Sequence, residues 1–306
     1  MVTSHPPVQL ALPPAPTEVL EPATVTLPLV LASPHSGAFY PPAFVASAAL
    51  ELGALRKSED CYVDALFSGA PALGAPLLKA LYPRAFLDVN REAYELDPEM
   101  FDRPLPAYVN TTSARVTAGL GTIARIVASR REIYRDKLSF ADAESRINGV
   151  YKPYHRQLRE LVTRTWARFG FCILIDCHSM PSTGLPVDVG GDARNIDFVL
   201  GDRGGTSCAS VVTDAIEGSL VALGYRVTRN NPYAGGFTTQ HYGDPAGGVH
   251  AIQIELNRAI YMDEVTLQRR AAFDRLQADL DVMLGDVAAL AAQMSHHLRY
   301  QRLSAE

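Results

Sequence analysis

Cysteine is scarce in this chain. There are four in 306 residues, Cys61, Cys172, Cys177 and Cys208, and no two are spaced as CxxC. That excludes the disulfide framework of a small secreted domain and fits a reducing cytoplasm. Excess positive charge is missing too: 28 Lys and Arg stand against 33 Asp and Glu, a net charge of -5. A nucleic-acid binder would need a basic face to displace counterions, so a small-molecule partner is favoured over nucleic acid. No apolar run reaches the roughly 18 to 20 residues that span a bilayer, and the first residues lack a basic segment followed by an apolar core. Neither membrane insertion nor secretion is expected. GxxxxGK[ST], a helix-opening GxGxxG and the GxSxG elbow are all absent, which leaves nucleotide binding and serine-hydrolase chemistry unsupported.

What the chain does have is a hydrophobic content of 47%, enough for a full core. Residues 1–25 are proline-rich and aperiodic and read as an extended arm; residues 26–306 read as a single domain, with no repeat and no linker. Strand-like runs at "LVLAS", "AFLDV", "CILID", "DFVLGD", "RVTRN" and "HAIQIEL" alternate with helical patterns over about 122–137, 150–168, 207–223 and 263–298. Gly170 is placed to cap the second of these helices. The alternation predicts an α/β fold of three layers, α/β/α, around a mostly parallel sheet. Residues 230–251, rich in Gly, Pro and Tyr, read as a long functional loop in which Tyr233, Thr238, His241 and Tyr242 could contact substrate.

Polar residues gather where such folds bind ligands, beyond the carboxyl ends of strands. His35 follows "LVLASP", Asp88, Asn90 and Arg91 follow "AFL", Asp176 and His178 follow "CILI", and Glu255, Asn257 and Arg258 end "AIQI". Two strand-end histidines with a nearby carboxylate suit a divalent ion, zinc above all. Asp60 or Glu59 could supply that carboxylate, with Asp176 as a further ligand or as the partner that orients His178. The plainer reading makes each histidine a satisfied turn residue. Glu255, an acid after apolar alternation, is either a general base or the ion-pair partner of Arg258 or Arg91. Arg91 and Arg258, each after an Asn, would match an acidic substrate or else neutralise neighbouring carboxylates. Ser36, Ser179 and Cys177 are weaker nucleophile candidates; a cysteine at a strand end is more often a small buried hydrophobe.

The segments "SPHSG", "EDCYVDALF", "RAFLDVNRE", "YKPYHRQL", "LIDCHSMPS", "NPYAGGFTTQHYG" and "HAIQIELNRAIYMDE" together resemble the N-formylglutamate amidohydrolases, also called N-formylglutamate deformylases, from about residue 28 to residue 275. The resemblance implies a hydrolase that releases formate from N-formyl-L-glutamate in histidine degradation, on a fold related to zinc-dependent exopeptidases. It implies Zn2+ or another divalent transition metal on His35, Asp60 and His178, and Glu255 as catalytic acid/base. Cys61 and Tyr62 stand where the family pattern carries tryptophan and histidine, which keeps Glu59 as the alternative to Asp60. On this reading His241 or Arg91 would stabilise the oxyanion, and Asn90, Arg91, Tyr233 and Arg258 would grip a small acidic N-acyl amino acid. An amidase for another N-acyl amino acid or a peptidoglycan fragment, or a silent binding protein on the same scaffold, are the alternatives. Oligomeric state is not legible.

Overall fold

The computed structural model describes residues 15–127, 130–183 and 196–305, with side chains described to residue 296. Residues 1–14 of the expected arm and the Gly-rich stretch 184–195 lie outside the described residues. The strands are β1 (Thr17–Leu20), β2 (Leu29–Ser33), β3 (Leu77–Ala80), β4 (Cys172–Met180), β5 (Phe198–Gly201), β6 (Val227–Arg229) and β7 (Val249–Asn257). They form one sheet in the order β1-β3-β2-β4-β7-β5-β6. The centre is parallel, and only β1 against β3 and β5 against β7 run antiparallel. Helices cover both faces, as the alternation of strand and helix predicts.

Period-two alternation divides the core. Leu29, Leu31, Ile173, Ile175, Cys177, Ile252 and Ile254 face one layer, which includes the C-terminal helix Phe273–Ala305 and the helix Ser210–Ala222. Val30, Ala32, Cys172, Leu174 and Ala251 face the other, against Tyr154, Leu158 and Leu161 of the helix Lys152–Phe169. Each large side chain removed from water here contributes roughly 1.5–3 kcal/mol. Gly170 ends the helix Lys152–Phe169 in the left-handed region, φ 84°, with its N–H on Trp166 O at 2.7 Å.

The parity has a chemical consequence. On β4, Asp176 and His178 share the face of Cys172 and Leu174; on β7, Gln253 and Glu255 share that of Ala251. The same sheet face is therefore apolar towards the strand starts and polar at their carboxyl ends.

Four expectations change. The run "AFLDV" is not a strand: residues 84–86 turn after β3, and the N–H groups of Phe86 and Leu87 both donate to Pro83 O, at 2.9 and 3.2 Å. The described part of 122–137 is not a helix: it folds into turns with an Ile126–Glu132 bridge, and Ile133 N–H donates to Arg125 O. Of its β-branched residues, which lose side-chain freedom in a helix, Ile123 packs in one cluster and Val127 and Ile133 in another. The last helix starts at Phe273 rather than 263, because Asp263 Oδ1 accepts from the N–H groups of Val265 and Thr266 and holds a turn there. Within 230–251, Phe237–Tyr242 is helical. Among the described residues no helix is long and apolar enough to cross a membrane.

Candidate metal centre and active site

His35 lies two residues past β2, in the turn Pro34–Gly37. Its Nε2 is 2.6 Å from Asp88 Oδ1. A carboxylate can only accept, so Nε2 carries the proton and Nδ1 presents a lone pair. That Nδ1 is buried, has no hydrogen-bond partner and lies 3.4 Å from Asp60 Oδ2. His178 repeats the arrangement: Nε2 is 3.0 Å from Asp176 Oδ2, and Nδ1 is 3.1 Å from the same Asp60 Oδ2. The rings meet edge to face with centroids 4.8 Å apart. One ligand atom from each of His35, Asp60 and His178 lies within 4.8 Å of the others, and all three residues are buried.

Nδ1 of both histidines and an oxygen of Asp60 converge on one point and, with both imidazoles neutral, would be a donor set for a zinc-like cation. The charge balance agrees. Burial alone would lower the His178 pKa, but Asp176 and the hydrogen bonds to Asp176 and Asp60 hold it well above the usual range. The carboxylates around this point favour positive charge there.

Asp60 and Glu59 point in different directions. Asp60 Oδ1 accepts from Arg258 Nη2 at 2.8 Å while Oδ2 faces both histidines. Glu59 points elsewhere, accepting from Tyr40 OH at 2.7 Å, Arg56 Nε at 3.1 Å and Cys61 Sγ at 3.2 Å.

Glu255 sits directly opposite His178 in the β4–β7 register. Its Oε1 accepts from Gln253 Nε2 at 2.8 Å. Burial, reinforced by the nearby Asp60 charge and offset by His178, Arg84 and Arg258, pushes its pKa up to about 7. It opens onto a cleft of about 280 Å³ whose charged lining is Lys57, Arg84, Asp88, Arg91, Glu255 and Arg258, with Tyr233 also in the wall. Four cations against two acids make this cleft electropositive.

The residues expected to grip substrate divide. Asn90 is used within the protein: Nδ2 lies 3.1 Å from Asp176 Oδ2 and 2.9 Å from His178 Nε2, and Oδ1 accepts from Thr238 N–H at 2.7 Å. Arg258 donates to Asp60, Ser179 Oγ and Lys57 O. Arg91 donates to Leu120 O and Asn90 O and has Nη2 3.7 Å from Asp88. Tyr233 stays in the cleft wall. His241 does not line the cleft: its ring stacks on Phe237 at 4.9 Å and packs against Tyr242 and His155. Cys177 is fully buried in the apolar layer. Ser179 Oγ accepts from Arg258, with no histidine bonded to it among the described residues. Sequence reading overlooks Arg84, a lone charge beside an apolar run, and Gln253, hidden within a strand.

Comparison with known proteins gives a consistent result. The family model for N-formylglutamate amidohydrolase matches residues 27–262. An N-formylglutamate deformylase of Pseudomonas aeruginosa is 34% identical over 251 residues, covering 81% of this chain and 86% of that protein. One from Pseudomonas putida is 31% identical, covering 78% and 83%. The crystal structure of N-formylglutamate amidohydrolase from Ralstonia eutropha superposes with a TM-score of 0.84 at 37% identity, over 91% of this chain and 99% of that one. An Agrobacterium tumefaciens protein, 17% identical, shares the fold with a TM-score of 0.65 over 92% and 96%.

Proposed function

The chain belongs to the N-formylglutamate amidohydrolase family, and from that premise we propose that it hydrolyses N-formyl-L-glutamate to formate and L-glutamate, with a divalent metal held by His35, Asp60 and His178. The observation that carries this reading is Glu255, set beside His178 on the neighbouring strand at the foot of an electropositive cleft. When bound, the ion supplies Lewis acidity to the formyl carbonyl and acidifies water. Glu255, with a pKa near 7, is suited to both halves of the proton transfer. Its carboxylate takes a proton from the attacking water and delivers it to the departing glutamate nitrogen. The C–N bond breaks with that proton on the amine, and the water oxygen stays on formate.

Asp88 and Asp176 keep the histidines in the tautomer that offers Nδ1, and Arg258 orients Asp60. In this reading Asn90, Arg91 and Arg258 act through the protein groups they bind, and Tyr233 can touch substrate. His241 would have to leave its stack on Phe237 to reach the formyl oxygen. The four described thiols are free and buried, and we place the enzyme in a reducing compartment, the cytoplasm.

Formate release from N-formylglutamate, measured beside N-acetylglutamate, N-formylmethionine and a muramoyl peptide, tests the assignment. Turnover concentrated on N-formylglutamate supports it, and turnover only on an acetyl or peptide substrate overturns it. Purified protein should carry zinc or a similar ion near one per chain, and His178→Ala should lose it. Glu255→Gln should keep the ion and lose about 10²- to 10⁴-fold in kcat, the span of general acid–base catalysis. Unchanged turnover removes Glu255 from the role.

A further inference from the structure

Arg84 is the cleft cation that the protein leaves with donors to spare. Its Nη2 donates to Asp88 Oδ2 at 2.8 Å. Among the described residues Nε and Nη1 have no acceptor, and a quarter of the side chain is exposed, at the cleft. The other two arginines of the cleft are committed: Arg258 to Asp60, Ser179 and Lys57, Arg91 to Leu120, Asn90 and Asp88. Lys57 stands apart, on the side that the cleft shares with a smaller hollow bounded by Met262 and Leu267.

The wall beside Arg84 is apolar. Ala85 and Ala124 pack in one cluster, and Leu120 and Ile126 complete the strip. A cation at the end of an apolar strip matches a short chain of methylenes ending in a carboxylate. A guanidinium anchored through one nitrogen keeps its remaining N–H groups in a fixed plane, which suits bidentate pairing with such a group.

We propose that Arg84 is the specificity-determining residue of this enzyme, pairing with the side-chain carboxylate of the substrate while Ala85, Leu120, Ala124 and Ile126 hold its methylenes. This rests on the reading of the chain as an N-formylglutamate hydrolase. Asp88 serves as the common anchor, fixing Arg84 through Oδ2 and His35 through Oδ1. Recognition of the substrate's far end and orientation of a metal ligand therefore share one carboxylate.

The test compares wild type, Arg84→Gln and Arg84→Lys on N-formylglutamate and on N-formylglutamine, which replaces the side-chain carboxylate by an amide. Wild type should prefer the acid about 100-fold in kcat/KM, the scale of losing a charge-assisted contact. Arg84→Gln should lose about 100-fold more kcat/KM on the acid than on the amide, the excess mainly in KM, so that the preference for the acid disappears; Arg84→Lys should fall between. Equal losses on both substrates, or a loss confined to kcat, overturn the proposal, because an oxyanion or purely structural role affects both alike. Metal content and melting temperature of both variants show that the fold and the ion are retained.

Glutarate provides a readout without turnover: it should raise the melting temperature of wild type and not that of Arg84→Gln, and an equal rise in both overturns the proposal. Wild type that binds glutarate through Arg84 but releases no formate from N-formylglutamate refutes the functional reading instead.

Discussion

Two carboxylates stand behind the histidines proposed as metal ligands. Asp88 accepts from His35, receives Arg84 and the backbone N–H of Asn90, and is 3% exposed, so removing its charge cannot be compensated by water. Asp88→Asn is expected to lower metal affinity about 10- to 100-fold, the usual cost of a lost partner behind a ligand. Competition with a chromophoric chelator measures it, and an unchanged affinity would remove Asp88 from the centre. His35, His178 and Glu255 were legible in the sequence because each closes or follows an apolar strand, where a polar side chain has no packing reason to be; Asp60, in a turn between two short helices, could be named there only together with Glu59. The duties of Asn90 and Arg258 were not. Their partners lie 86 and 198 residues away, at Asp176 and Asp60, and such contacts exist only once the sheet has closed.

Among the elements, the short helix Phe237–Tyr242 shows how a glycine-rich segment earns its composition. Gly236 precedes it, and a Cβ there would lie 2.6 Å from Asn90 Nδ2, so the backbone approaches the amide only because a side chain is missing. Thr238 N–H then reaches Asn90 Oδ1. Gly236→Ala is expected to push Asn90 away from Asp176 and His178, destabilise the fold by about 1–3 kcal/mol as overpacking does, and weaken metal binding along with it. Calorimetry with a metal titration checks both, and a variant with wild-type stability and affinity would show that Asn90 relaxes freely. The glycines were readable as a functional loop, but the helix within them was not, since six residues carry too little periodicity to distinguish. At 122–137 the failure ran the other way: apolar residues at helical spacing serve two different clusters, and tertiary packing outweighs local pattern.

For the whole molecule, the alternation of strands and helices made the three-layer architecture legible from the chain alone, whereas the antiparallel β1 and β5 depend on chain direction, which no hydrophobic pattern encodes. Acid stability is a property at this scale. His155, buried beneath the active-site face, receives a hydrogen bond from Tyr242 OH on Nδ1 at 2.9 Å and donates from Nε2 to Val89 O at 2.8 Å. Burial lowers its pKa to about 4, against the opposing pull of the Val89 carbonyl, with Arg159 and His241 adding positive charge nearby. The unfolded chain takes up this proton near pH 6.5 while the folded one resists until about 4. The stabilisation is therefore whole above 6.5 and drains away as pH falls through that window, on the order of 3 kcal/mol in all. Urea unfolding of wild type and His155→Gln between pH 7.5 and 4.5 should show the steeper loss in wild type, and parallel curves would exclude it.

The pairing of β4 with β7 bears on how this site can vary. His178 and Glu255 are neighbours across a backbone ladder, so the backbone separation of the proposed metal ligand and the proposed acid/base is set by inter-strand spacing, about 4.8 Å. Sliding the ladder by one residue would turn Glu255 to the opposite face, and sliding it by two would carry it about 7 Å along the strand. The chemistry is thus measured by a ruler that single substitutions cannot stretch. Divergence in what is hydrolysed has to come from the walls around it, the turns at 118–127 and 181–183 and the segment before Phe237, which can change their side chains while the ruler stays as it is.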